Sequence, residues 1–144
     1  MTNVLKISEA ASLALHTMVL LAANPGKTMS NRDIAGLLKV SEAHLAKVLQ
    51  RLGRAGLVIS QRGPKGGFVL GRDSSEISLL AVYEAVEGPL ETKSCLLGKP
   101  VCGGNCILGG LLHKVGAEVS DYFSQTRLSD LTFPLPSEEC HAQA

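Results

Sequence analysis

Residues 30–70 constrain the fold more than any other stretch, because they read as two short helices and a glycine-rich hairpin that carry the chain's excess of positive charge. Ser30 is placed to cap a helix with Asp33 three residues on. Ile34, Leu37 and Leu38 then fall at i, i+3 and i+4, which predicts one buried face. A turn through Lys39 and Val40 leads to Ser41, the cap of a second helix. Its apolar positions Leu45, Val48, Leu49 and Leu52 keep helical spacing, while His44, Lys47, Arg51 and Arg54 lie opposite, and Gly56 ends it. This spacing matches a helix-turn-helix, whose second helix enters a major groove and reaches base edges with its N-terminal residues.

Beyond Gly56, Leu57–Ser60 and Phe68–Leu70 are short strand candidates joined by Gln61-Arg62-Gly63-Pro64-Lys65-Gly66-Gly67. That is the pattern of a wing: glycines permit close approach to a sugar-phosphate edge, proline stiffens the tip, and Arg62 and Lys65 can meet phosphates or enter a minor groove. From Lys27 to Arg72 there are nine Lys and Arg against Asp33 and Glu42, a net charge of +7, whereas the whole chain carries +1 and the remainder therefore −6. So concentrated a charge on a helix-turn-helix followed by a wing points to nucleic acid rather than to an ordinary solvated face. The five aromatic residues, Phe68, Phe123, Phe133, Tyr83 and Tyr122, are too few for the stacking platforms of single-strand binders, which leaves double-stranded DNA.

The rest of the chain is organised around this unit. Its 144 residues, 45% of them hydrophobic, suit one compact domain with one extension. Residues 10–23 form an apolar helix in which Leu15, Met18, Val19 and Ala22 mark the inward face, and Asn24-Pro25-Gly26 stops it. Glu9 and His16 interrupt its apolar run, which argues against a signal peptide, and no stretch is long enough to span a bilayer; a cytoplasmic protein with no membrane association is expected. Ser78 caps a helix from Leu79 to Glu87 that Gly88-Pro89 terminates. The expected division is a winged helix-turn-helix domain (1–88), a cysteine-bearing loop (89–106), a long helix and end segment (107–131) and a flexible tail (132–144). The fold class is thus mainly α with a small β wing. Starting near Cys106, the long helix would run to about residue 124 and reach about 27 Å. Its stripe of Leu108, Leu112, Val115, Val119 and Tyr122 suits a twofold copy of itself, although packing back on its own domain is the alternative.

Cys95, Cys102 and Cys106 are separated by six and three residues, neither a zinc-ribbon pair nor a thioredoxin motif. Gly98, Gly103, Gly104, Gly109 and Gly110 would let backbone amides approach sulfur closely, as an iron-sulfur cluster requires, and thiolates are its preferred ligands. Three free thiols and a zinc site remain open on the pattern alone. Cys140, beside His141, reads as a free thiol in the tail. No Ser-His-Asp arrangement or phosphate loop is present in the required context, so no enzyme is expected.

The order of helix, helix-turn-helix, wing with Arg62-Gly63-Pro64-Lys65-Gly66-Gly67-Phe68, then Ala85-Val86-Glu87-Gly88-Pro89 and three cysteines resembles the bacterial winged-helix regulators that include the cluster-sensing IscR, NsrR and RsrR proteins. The resemblance covers residues 4–131. It implies a homodimeric transcription regulator that binds operator DNA and carries a [2Fe-2S] or [4Fe-4S] cluster on Cys95, Cys102 and Cys106. Operator affinity would then answer to redox state, nitric oxide or cluster supply. Where one branch supplies a histidine three positions after the third cysteine, this chain has Gly109. The acidic ligand position of other branches aligns with Ser12, and Ala14-Leu15-His16 looks like the stretch of the redox-sensing branch that supplies a histidine. His16 is therefore the expected fourth ligand, with Glu9 and His113 in reserve; a histidine satisfied inside the core is the alternative for His16. An imidazole ligand would raise the cluster potential and couple it to a proton. A change of cluster state would alter how the first helix and the cysteine loop are tied, and so the angle between paired recognition helices.

Ser41, Ala43, His44 and Lys47 are the candidates for base edges, and Arg51, Arg62 and Lys65 for phosphates; Ser30 and Gly63 complete the set of DNA contacts. His44 stands where relatives commonly carry an aromatic residue. A cluster-free regulator of the same fold, governed by a protein partner, a small molecule or thiol oxidation, is the competing expectation.

Overall fold

The computed structural model describes residues 7–91, 95–97 and 99–131. The expected flexible tail, with Cys140 and His141, lies outside them. The described chain is mainly helical, with α1 (Glu9–Ala23), α2 (Asn31–Leu38), α3 (Glu42–Arg54), α4 (Leu79–Glu87) and α5 (Leu111–Gln125). One antiparallel pair, β1 (Val58–Gln61) and β2 (Gly67–Leu70), sets Val58 opposite Leu70 and Gln61 opposite Gly67. Short 3-10 turns at Ser74–Glu76 and Leu128–Asp130 complete the description.

α1 is the central helix, packed against α3, α4 and β2. Its deepest face is Ala11, Ala14, Met18 and Leu21, all 2% exposed or less. The expected face of Leu15, Met18, Val19 and Ala22 is only half right: Met18 is buried, while the other three are half-buried beside the core. Both sides of this helix carry apolar residues, so periodicity alone could not choose between them.

Local capping fixes the helix-turn-helix. Ser30 Oγ accepts the Asp33 N–H at 3.1 Å while the Asp33 carboxylate accepts the Ser30 N–H at 3.3 Å, closing a capping box. Hydrogen bonds donated to the Asp33 carboxylate, from the Ser30 hydroxyl first and its backbone N–H second, hold that carboxyl below its ordinary pKa. Within α2, Ile34 and Ala35 are buried but Leu37 is 40% exposed, so the expected face is corrected by one position. Lys39 closes α2 in the left-handed conformation, φ 56° and ψ 46°, and Val40 N–H returns to Ala35 O. Ser41 Oγ accepts the His44 N–H at 3.0 Å at the start of α3. Asn31 Nδ2 donates to Glu42 O at 3.0 Å, which ties the first residue of α2 to the first of α3 and sets their relative position. From α3, Leu45, Val48, Leu49 and Leu52 enter the core as expected.

The C-terminal part departs from expectation. α5 begins at Leu111, not near Cys106, and its 15 residues span about 22 Å. Residues 107–110 form a turn instead, with Gly109 at φ 57°. Consecutive glycines 109 and 110 explain the late start, since each loses more freedom in a helix than any other residue. Phe123, outside the expected stripe, is the buried anchor of α5 and meets the Tyr83 ring of α4 edge-on at 5.8 Å. Leu128 is 1% exposed and the Ser78–Arg127 bridge holds its turn to the start of α4. The end of α5 thus packs on its own domain, whereas Leu111, Val115 and Tyr122 remain exposed.

Candidate nucleic-acid interface

The surface that carries the basic residues is built from α3 and the wing. Ser41, Ala43 and Lys47 are exposed and His44 half-buried on the outer face of α3. Because its cap leaves the hydroxyl proton of Ser41 unused, that side chain can still donate to a phosphate oxygen, whereas the Ser30 hydroxyl is engaged with the Asp33 carboxylate. Arg62, Gly63 and Lys65 are exposed at the tip of the hairpin, where Gly66 N–H closes a turn onto Gly63 O at 2.9 Å and Gly63 adopts φ 115°.

The wing is fastened to the helix-turn-helix. Met29 and Phe68 exchange both backbone hydrogen bonds, at 3.1 and 2.8 Å, and Thr28 Oγ1 donates to Lys65 O at 2.8 Å. A Cβ on Gly67 would stand 2.5 Å from Met29 O, so this approach requires glycine. Between α3 and the hairpin runs an open groove lined by Asn31, Lys47, Gln50, Ser60 and Phe68 among others. A sugar-phosphate strand between an α3 in the major groove and a wing in the next minor groove would pass there. Gln50 and Ser60 line this groove and are not among the residues singled out from the sequence. Gln50 follows Lys47 by three residues and could have been found by helical spacing; Ser60 could not, because its facing depends on hairpin register.

Arg51 departs from its expected place. Its guanidinium donates from Nη1 to Val86 O at 2.9 Å, in the last turn of α4. Glu87, the next residue, accepts a hydrogen bond from Ser8 Oγ at the cap of α1. At the same corner, Glu9 Oε1 lies 3.5 Å from Nδ1 of His44. The beginnings of α1 and α3 and the end of α4 thus converge immediately before the cysteine loop.

On that loop Cys95 and Cys106 are half-buried, Cys102 is exposed, and all three are free. Gly103 and Gly104 take positive φ values of 56° and 96° in succession. Three thiols beside such a turn are a donor set of the chemistry a cluster takes. Among the described residues, however, no three His, Cys, Asp or Glu side chains are gathered closely enough to hold a metal ion. His16 is exposed on α1, which removes the core alternative, and its Nδ1–H donates to Ser12 O at 2.7 Å. That bond leaves the Nε2 lone pair directed elsewhere, the form in which imidazole ligates a metal. His113 is exposed near the start of α5; since Cys106 is not in that helix, the two do not share a helical face. Among the described residues no helix is long and apolar enough to cross a membrane.

A capped helix-turn-helix with a wing bonded to it defines a winged-helix protein of mainly α class. Residues 7–133 match the family model Rrf2, described as iron-dependent transcriptional regulator, and the chain belongs to that family. It is 35% identical over 101 residues to the HTH-type transcriptional regulator IscR of Serratia proteamaculans, covering 69% of this chain and 61% of that protein. Among solved structures it is similar to CymR (YrzC), the global cysteine regulator of B. subtilis, with a TM-score of 0.75 and 30% identity over 88% of this chain and 95% of that one. IscR of T. potens is similar with a TM-score of 0.69 and 26% identity, covering 88% of this chain and 85% of that one.

Proposed function

We propose that this Rrf2-family transcription regulator acts in the cytoplasm as a homodimer on double-stranded operator DNA, and that an iron-sulfur cluster sets its operator affinity. Cys95, Cys102 and Cys106 would hold the cluster, [2Fe-2S] or [4Fe-4S], with His16 as the fourth ligand. The observation that carries the reading is the Arg51–Val86 hydrogen bond, 2.9 Å long, because it ties the recognition helix to the turn from which the cysteine loop departs. A bound cluster supplies a centre whose charge changes with redox state. Everything else is work for the chain's own residues. Arg51 and Asn31 hold α3 at both ends, Ser41, Ala43, His44 and Lys47 face base edges, and Arg62 and Lys65 meet phosphate. The exposed Leu111, Val115 and Tyr122 of α5 suit a second copy of the helix, and pairing would set two recognition helices on half-sites about one turn apart.

Purification without oxygen, followed by visible absorption with iron and acid-labile sulfide determinations, tests the cluster. Absorption between about 300 and 600 nm that is lost in Cys102→Ala supports it; colourless, iron-free protein after anaerobic reconstitution contradicts it. A second reading, regulation by thiol chemistry without a cluster, is favoured by the dispersed ligand set and the accessible thiols. The likeness to the cysteine regulator CymR points the same way. Full operator binding by colourless protein would select that reading.

A further inference from the structure

The first helix reaches the DNA-reading helix through a side-chain contact that neither the wing nor the cysteine loop needs. Glu9, the first residue of α1, faces His44 in the first turn of α3, its Oε1 3.5 Å from Nδ1. Both backbones are pinned at this point. Ser8 Oγ accepts the Ala11 N–H at 3.0 Å and donates to Glu87, and Ser41 Oγ accepts the N–H of His44 itself. What remains variable is the imidazole, its rotation and the nitrogen that carries its proton. His44 is 36% exposed at its side chain and Glu9 75%, so the pair stands at the rim of the interface.

We propose that Glu9 is a specificity-determining positioning residue for DNA reading, its carboxylate keeping the proton of His44 on Nδ1 so that Nε2 reads the base edge. The inference rests on α3 being the recognition helix. In a neutral imidazole one nitrogen donates and the other accepts, and the partner of the first decides the role of the second. With Nδ1–H toward Glu9, Nε2 is an acceptor. In the major groove it matches the amino group of cytosine N4 or adenine N6 and opposes the N7 and O6 acceptors of guanine. Without the carboxylate the ring is free to carry its proton on Nε2, and guanine becomes acceptable at the same position.

The test is selection of binding sites from a randomised duplex library with full-length wild type, Glu9→Ala, Glu9→Gln and His44→Ala. Affinities for operator variants are then measured at one salt concentration. The amide oxygen of Gln can still accept from Nδ1–H, so Gln separates hydrogen-bond acceptance from charge. The expected result is one base-pair position at which wild type and Glu9→Gln prefer cytosine or adenine over guanine by about tenfold. Glu9→Ala and His44→Ala both lose that preference, and adding Glu9→Ala to His44→Ala changes nothing more. A uniform gain in affinity shared by both Glu9 variants is the effect of removing a negative charge beside phosphate and leaves the expected preference intact. Unaltered preference in Glu9→Ala, or in His44→Ala, overturns the inference while the DNA reading stands. Failure of wild type to bind any duplex overturns both.

Discussion

Arg51 Nη1 donates to Val86 O across 2.9 Å, joining the recognition helix to the last turn of α4. The bond is partly buried and its donor charged, which makes it one of the stronger single polar contacts between two elements of this domain. Replacing Arg51 with Met keeps an apolar stem but removes the donor. A loss of about 1–2 kcal/mol in urea unfolding is expected. Operator binding should weaken with little change in its salt slope. A slope reduced by about one with stability unchanged would instead assign Arg51 to a phosphate.

Lys65 offers the contrasting case. It is exposed at the wing tip, where its backbone carbonyl is held by Thr28 Oγ1 and its side chain extends from a fixed point. Lys65→Ala should weaken binding to every duplex alike and reduce the slope of log affinity against log salt by about one. Fluorescence anisotropy with operator and unrelated duplexes at several salt concentrations checks this.

Lys39 ends α2 in a left-handed conformation, φ 56°, which disfavours any residue with a Cβ. Lys39→Gly should raise stability by about 0.5–1 kcal/mol, the relief of strain being partly offset by the greater freedom of glycine in the unfolded chain. Denaturant unfolding measures the gain, and a destabilised variant would contradict the assignment.

Acid should weaken the start of α2. Bonds from Ser30 lower the Asp33 pKa in the folded state, so the unfolded chain takes up its proton at higher pH than the folded one does. The stabilisation is present above the ordinary aspartate value of 3.8 and is lost as pH falls through the lower folded value. Asp33→Asn should flatten this part of the stability profile; unfolding midpoints between about pH 2 and 6 in the two proteins would show it.

Much of the fold was legible because its determinants are local. Ser30 with Asp33, Ser41 and Ser78 each announce a helix start and each caps one, and the Gly-Pro-Lys-Gly-Gly run between short apolar stretches is the hairpin. What failed was decided by distant partners. Leu37 and Ala35 lie on opposite sides of α2, and the tertiary packing buries Ala35. Phe123 is a core residue because Tyr83 of α4 lies beside it, and Leu128 because its turn packs against α1 and the Ser74–Glu76 turn. The candidate site divides in the same way. The exposed residues of α3 and the wing follow from spacing and charge, but Arg51 is turned toward α4 and Glu9 toward His44 by contacts across 35 residues each. The three cysteines are adjacent in sequence yet unassembled among the described residues, so their ligand role rests on residue chemistry and family.

The most direct test compares operator affinity of anaerobically reconstituted protein with that of the same protein stripped of iron, with Cys102→Ala as the control, across a salt titration on a duplex obtained by selection. The account predicts two lines of log affinity against log salt separated by at least about fivefold, with Cys102→Ala on the iron-free line. Superimposed lines for all three would contradict control by a cluster and leave a DNA-binding regulator that answers to another signal.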